Sequence, residues 1–174
     1  MMAQASSAES YTVISAGAAV EQPVYNQRSN VGVSGTGAVG WQISKHRAYE
    51  IRMSTAFFGA PGLFISPGGC LPALQCPRSS EPSDVRTLTV GGNVIFSTDD
   101  AQHESLFTDI GAGARFINED PGLGTEVRPY AEIGAGITIP FANVSLVLEA
   151  RGQFAPSSGG LSRFIAPITL GIRF

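Results

Sequence analysis

The stretch Val144-Ser145-Leu146-Val147-Leu148-Glu149-Ala150-Arg151-Gly152-Gln153-Phe154 splits into two chemistries when its residues are taken alternately. Successive side chains of a strand point to opposite faces. Val144, Leu146, Leu148, Ala150 and Phe154 therefore share one face, and Ser145, Glu149, Arg151 and Gln153 share the other. A helix would scatter both sets around its axis. This is a strand with one wholly apolar side, and its charges are confined to the other.

The same alternation recurs along the chain. Phe164, Ala166, Ile168, Leu170, Ile172 and Phe174 oppose Arg163, Thr169, Gly171 and Arg173, while Tyr49, Ile51, Met53, Thr55 and Phe57 oppose Glu50, Arg52, Ser54 and Ala56. Ile110, Ala112, Ala114 and Phe116 oppose Asp109, Gly111, Gly113 and Arg115, and Ile133, Ala135, Ile137 and Ile139 oppose Glu132, Gly134, Gly136 and Thr138. Period-two segments bounded by Gly, Pro, Asn, Asp and Ser clusters read as strands. They predict strands over residues 11–20, 31–43, 48–59, 85–96, 106–117, 127–139, 144–154 and 163–174. Connections alternate between tight and longer ones, with 44–47 and 140–143 as turns and 97–105 somewhat longer. An up-and-down meander with two different ends follows, in one domain from 11 to 174 preceded by a tail over 1–10.

These strands are about twice the ~5–6 residues typical of soluble sheets and match the roughly 9–11 tilted residues that cross a bilayer. A soluble antiparallel barrel would carry its charges outward and its apolar residues inward. Here each charge of the five strands lies opposite the apolar run. Arg or Lys on the lipid face at mid-bilayer costs about 2–4 kcal/mol, enough to enforce that segregation. The apolar faces are expected to meet lipid and the polar faces a lumen. Closure is then required, because an open edge in lipid leaves backbone groups without partners. The expected fold is an all-β, eight-stranded antiparallel up-and-down transmembrane β-barrel.

Composition agrees. The 174 residues are 43% hydrophobic but only 14% charged, with 21 glycines and a single lysine, Lys45. Soluble domains carry roughly 25% charged residues and about 7% glycine. A net charge of −3 without a basic cluster argues against a nucleic-acid partner. The longest uncharged stretch, 53–77, is broken by Pro61, Pro67, Pro72 and Pro77, so no membrane helix is expected. Ala3-Gln4-Ala5 has the small-x-small form of a signal-peptidase site, which suggests an exported protein whose signal peptide is absent from this sequence. Two features strain the pattern. Arg86 and Asp84 share the parity of Leu88, Val90, Val94 and Phe96, so they are expected at or beyond the membrane rim; Pro129 and Pro167 within strands predict bulges or ladder gaps.

The chain from 11 to 174 resembles the small eight-stranded outer-membrane barrels of Gram-negative bacteria, the OmpA transmembrane-domain, OmpX and Ail type. The closing run Ile168-Thr169-Leu170-Gly171-Ile172-Arg173-Phe174 is similar to the assembly signal of that family, carried on Ile168, Leu170, Ile172 and Phe174. The Gly-alternating segments at 109–116 and 132–139 are similar to strands common there. The resemblance implies an outer-membrane location, both termini and the tight turns on the periplasmic side, and longer loops outside. It also implies lipid, lipopolysaccharide and the outer-membrane assembly machinery as partners, an extracellular protein ligand at the loops, a monomer, and a structural or surface-interaction role such as adhesion.

Glu50, Asp109, Glu132 and Glu149 share the inward face with Arg52, Arg115, Arg151 and Arg173, four acids against four bases. Confined charges demand pairing, so a plugging ion-pair network is expected, with a narrow pore for ions or small solutes as the alternative. Gly35-Thr36-Gly37-Ala38-Val39-Gly40 satisfies G-x-G-x-x-G but lacks the helix and acidic residue that a dinucleotide site needs; no cofactor is expected. Cys70 and Cys76 would form a disulfide in an oxidising compartment, with two free thiols as the alternative, and no metal site is expected. His46 and His103 fall in periplasmic connections without a Ser-His-acid grouping, which argues against an enzyme. Trp41, Tyr49, Phe96, Phe116, Phe154, Phe164 and Phe174 fall near strand ends, as interfacial girdles do.

Overall fold

A computed structural model describes residues 9–23, 30–58, 85–98, 105–118, 125–156 and 163–174. Eight strands form one closed barrel: β1 (Ser10–Pro23), β2 (Asn30–Ser44), β3 (Arg47–Phe58), β4 (Val85–Ser97), β5 (Ser105–Asn118), β6 (Glu126–Phe141), β7 (Val144–Ala155) and β8 (Arg163–Arg173). Each pairs antiparallel with its neighbours in sequence, and β1 closes on β8. The seam ends on a two-bond exchange in which the Thr12 and Phe174 amides each donate to the other residue's carbonyl, at 3.2 and 2.9 Å. No strand edge remains to be covered.

The expected strands are all present, most of them extended by one to three residues. The largest shift is in β1, which continues past Val20 to Pro23 and buries Glu21 on the inward face. Glu21 thus marks the register of the first strand with an inward charge. The β6–β7 turn holds Ala142 at a φ of 54°, the left-handed backbone that two-residue hairpin turns require.

The two prolines behave differently. Opposite Pro167 and Ala166 the β7–β8 ladder loses two pairs, between Ala150↔Ile168 and Gln153↔Ile165, then resumes in the same register. This is the expected gap, since proline brings no N–H to the ladder. Pro129 pairs with Ala114 on one side, while the β6–β7 ladder stops at Ala131↔Phe154, short of it.

The wall is apolar outward. Ile14, Ile51, Met53, Ile110, Ile133, Leu148, Ile168 and Leu170 are all exposed, Ile133 to 67%. Trp41, Tyr49, Phe96, Phe141 and Phe174 ring the end that holds the tight turns; Phe57, Phe154 and Phe164 ring the other. Arg86 is exposed at the rim of β4, where its parity places it. Asp84 lies outside the described residues.

Candidate functional site

Inward parity brings Glu50 and Arg52 of β3, Asp109 of β5, Glu132 of β6, and Glu149 and Arg151 of β7 to the middle of the lumen, all buried. Arg52 is the hub. Its Nε lies 2.7 Å from Glu50 Oε1, its Nη1 2.8 Å from Asp109 Oδ2 and 3.4 Å from Glu132 Oε1, and its Nη2 3.0 Å from Glu149 Oε1. A guanidinium presents five N–H groups in one plane, which lets one side chain gather four carboxylates from four strands. Arg151 lies 3.4 Å from Glu149 and 4.0 Å from Glu132, and donates to Thr36 Oγ1 at 2.7 Å and Ser54 Oγ at 3.3 Å.

Arg115 and Arg173 stand to either side of that cluster. Arg115 donates to Gln153 Oε1 at 2.9 Å, and Gln153 Nε2 donates to Glu132 Oε2 at 2.9 Å. The Arg115 guanidinium also lies over the Tyr130 ring at 5.6 Å. Arg173 stacks on Tyr11 at 3.6 Å and donates to Gln42 Oε1 at 3.3 Å, while Tyr11 Oη donates to Glu50 Oε2 at 3.5 Å. Of the eight residues expected to form the network, six meet in direct ion pairs and two reach it through Gln153 and Tyr11. Thr36, Gln42, Tyr11 and Tyr130 were not among the expected site residues. Inward parity is their signal: for Tyr11, Thr36 and Gln42 it is masked by the small residues on both faces of β1 and β2, while Tyr130 shares the inward parity of Glu132 on β6.

Apolar layers bound the charged one. Towards the end with the longer connections, Ala19, Ala56, Phe58, Val85, Ile117 and Ile165 pack together inside the barrel. At the opposite end Tyr11, Ala48, Phe107 and Val147 are buried. Among the described residues, two small cavities lie beside the charged cluster. One of about 40 Å³ has Arg52 and Glu149 in its lining; the other, of about 10 Å³, has Arg151 and Gln153. A cavity needs at least ~10–15 Å³ to hold one water, so the second has room for about one molecule.

Glycine makes space for these side chains. A Cβ on Gly134 would overlap Asp109 Oδ1 and come within 2.8 Å of Arg151 Cγ, and one on Gly111 would overlap Asn93 Oδ1. More often the occupant is a ring. Tyr11 lies over Gly40, Tyr130 over Gly91 and Gly113, and Phe107 over Gly136. In the G-x-G-x-x-G run, Gly40 seats Tyr11, whereas Gly35 and Gly37 lie on the outward parity, and a Cβ on Gly37 would have no atom within 4 Å.

His46 lies exposed in the β2–β3 turn, its Nδ1 3.2 Å from the Ser97 carbonyl oxygen. His103, Cys70 and Cys76 lie outside the described residues. Among the described residues, no three His, Cys, Asp or Glu side chains are grouped to hold a metal ion.

A closed eight-stranded meander, apolar outside and charged inside, defines the small transmembrane β-barrels, and this chain has that fold. Among solved structures it is similar to Neisserial surface protein A (NspA), with a TM-score of 0.71 at 13% identity over 94% of this chain and 95% of that one. It is also similar to Ail, the attachment invasion locus protein of Yersinia pestis, solved with the heparin analogue sucrose octasulfate (TM-score 0.56, 15% identity, 95% and 99% covered). The N-terminal β-barrel domain of Pseudomonas aeruginosa OprF matches with a TM-score of 0.51 at 14% identity, covering 97% and 100%. These are eight-stranded outer-membrane barrels, so the architecture expected from the resemblance is the one observed. No protein-family model and no curated protein sequence matches the chain.

Proposed function

We propose that the protein is an integral barrel of the bacterial outer membrane, non-enzymatic, with a structural or surface-interaction role, its lumen plugged at the Arg52 cluster. One observation carries this reading: the strand wall is apolar outward, while the guanidinium and carboxylate groups converge inward on Arg52. A soluble protein gains nothing from that inversion; a bilayer demands it. The exposed row Ile168, Leu170, Ile172 and Phe174 suits recognition by the assembly machinery. The connections 24–29, 59–84, 119–124 and 157–162 leave the end opposite the tight turns and would face outside, where an extracellular ligand acts. Ail, a similar barrel, was solved in complex with a heparin analogue, which supports looking for a ligand of this one. Lipopolysaccharide surrounds the wall, and the barrel works as a monomer.

Planar-bilayer recording tests the plug. The native protein is expected to stay closed, and Arg52→Ala combined with Arg151→Ala to open steady single channels. Equal, steady conductance in both would replace the plug with a narrow pore. Mass spectrometry of lipid A from an expressing strain is expected to show no change in acylation; a new species would make the protein a lipid-modifying enzyme.

A further inference from the structure

On the outward parity of the described strands, two side chains are charged: Arg47 at the start of β3 and Arg86 at the start of β4. Each sits directly across the β3–β4 ladder from an aromatic residue, Arg47 opposite Phe96 and Arg86 opposite Phe57. Arg47 and Phe57 lie at opposite ends of β3. Ten residues at ~3.3 Å each, tilted by roughly 40°, span about 25 Å along the membrane normal, the height of a barrel's apolar band. The two arginines thus fall at the two headgroup levels.

At Arg86 the outer wall holds a groove of about 220 Å³ whose lining includes Thr55, Arg86, Leu88, Phe116, Asn118 and Thr125. Its head is polar, with the Arg86 guanidinium 6.0 Å from the centre of the Phe57 ring. Its floor, Leu88 and Phe116, continues into the lipid-facing surface. A cation above an apolar floor complements a molecule with an anionic head and a hydrocarbon tail. Arginine suits phosphate in particular, because its planar fork donates two parallel hydrogen bonds.

We propose that this groove binds the phosphate of an acylated lipid of the outer leaflet on Arg86, with an acyl chain laid over Leu88 and Phe116. The site rests on the outer-membrane reading above and adds a position and a chemistry to it. Asn118, paired with Arg86 across β4–β5, and Thr125 supply further donors at the head of the groove.

Native mass spectrometry of the refolded barrel, offered lipid A or its phosphatase-treated form, reads the site directly. The native protein is expected to retain the phosphorylated lipid at least fivefold over the dephosphorylated one. Arg86→Gln is expected to abolish that preference, Arg86→Lys to keep part of it, and Arg47→Gln to leave it intact. Equal retention by native protein and Arg86→Gln would overturn the proposal. Displacement of the lipid by millimolar inorganic phosphate would reduce the site to a free-phosphate site and overturn it as well. Insertion into vesicles, followed by heat-modifiable gel migration, is measured first on every variant. Native protein that fails to insert refutes the membrane reading itself, whereas inserted protein without the preference refutes only the groove.

Discussion

Arg52 on β3 and Asp109 on β5 lie 57 residues apart in the chain, and their side chains meet at 2.8 Å inside the barrel. Neither is on a strand adjacent to the other's. The contact exists because the barrel is closed and narrow, so a long side chain reaches through the lumen past the adjacent strand. That makes Arg52 the one cation shared by Glu50, Asp109, Glu132 and Glu149.

Removing it should therefore be costly. Arg52→Ala leaves four buried carboxylates with less compensation, and breaking a buried pair by deleting one partner costs about 3–5 kcal/mol. Urea unfolding in detergent micelles should show a loss of that size. Adding Glu149→Gln should recover part of it by removing one of the crowded negative charges. A single-variant loss under about 1 kcal/mol, the range of exposed pairs, would mean that the cluster is well solvated.

The glycines separate into those that seat a side chain and those that do not. On Gly113 a Cβ would overlap the Val90 carbonyl oxygen and meet Gly91 Cα at 2.5 Å and the Tyr130 ring at 2.9 Å, while on Gly92 nothing lies within 4 Å. Gly113→Ala is expected to destabilise by about 1–3 kcal/mol, the range for overpacking, and Gly92→Ala to be neutral or better. Equal midpoints for the two variants would contradict the seating of Tyr130.

Membrane depth gives a third expectation. Ile133 lies in the middle of β6 and Phe141 at its end, both on the outward face. Ile133→Arg should lower stability in lipid vesicles by about 2–4 kcal/mol and Phe141→Arg by about 0–1 kcal/mol. If both cost the same, the wall does not face a bilayer.

The closing exchange between Thr12 and Phe174 distinguishes assembly from stability. Deleting Phe174 removes that pair of hydrogen bonds and the exposed aromatic residue that follows β8. In cells the fraction of heat-modifiable, assembled protein is expected to fall severalfold, while refolding of the purified chain into detergent falls much less. A comparable loss in both settings would make Phe174 a structural residue and not part of an assembly signal.

Strand number, order and the facing of nearly every side chain were legible from alternation, because a strand's period is two and a charge in lipid is penalised strongly enough to leave a clean record. Strands β5, β6, β7 and β8 carry that record in full, and β3 carries it everywhere but at Arg47, its first residue. In β1 it fades among Ser, Ala and Gly, and Glu21 consequently reads as part of a loop although it is buried inside the strand. Residue type on a face says which charges are inside. It does not say which of them meet.

That depends on the stagger between strands and on the width of the closed lumen, quantities no local stretch encodes. Closure makes Arg52 the hub, sets Arg115 beside Gln153 and Tyr130, and stacks Arg173 on Tyr11. It also gives the abundant glycine its main use: room for rings and carboxylates reaching across from neighbouring strands. Alternation is a property of each strand alone, whereas the site is a property of eight strands brought to one radius.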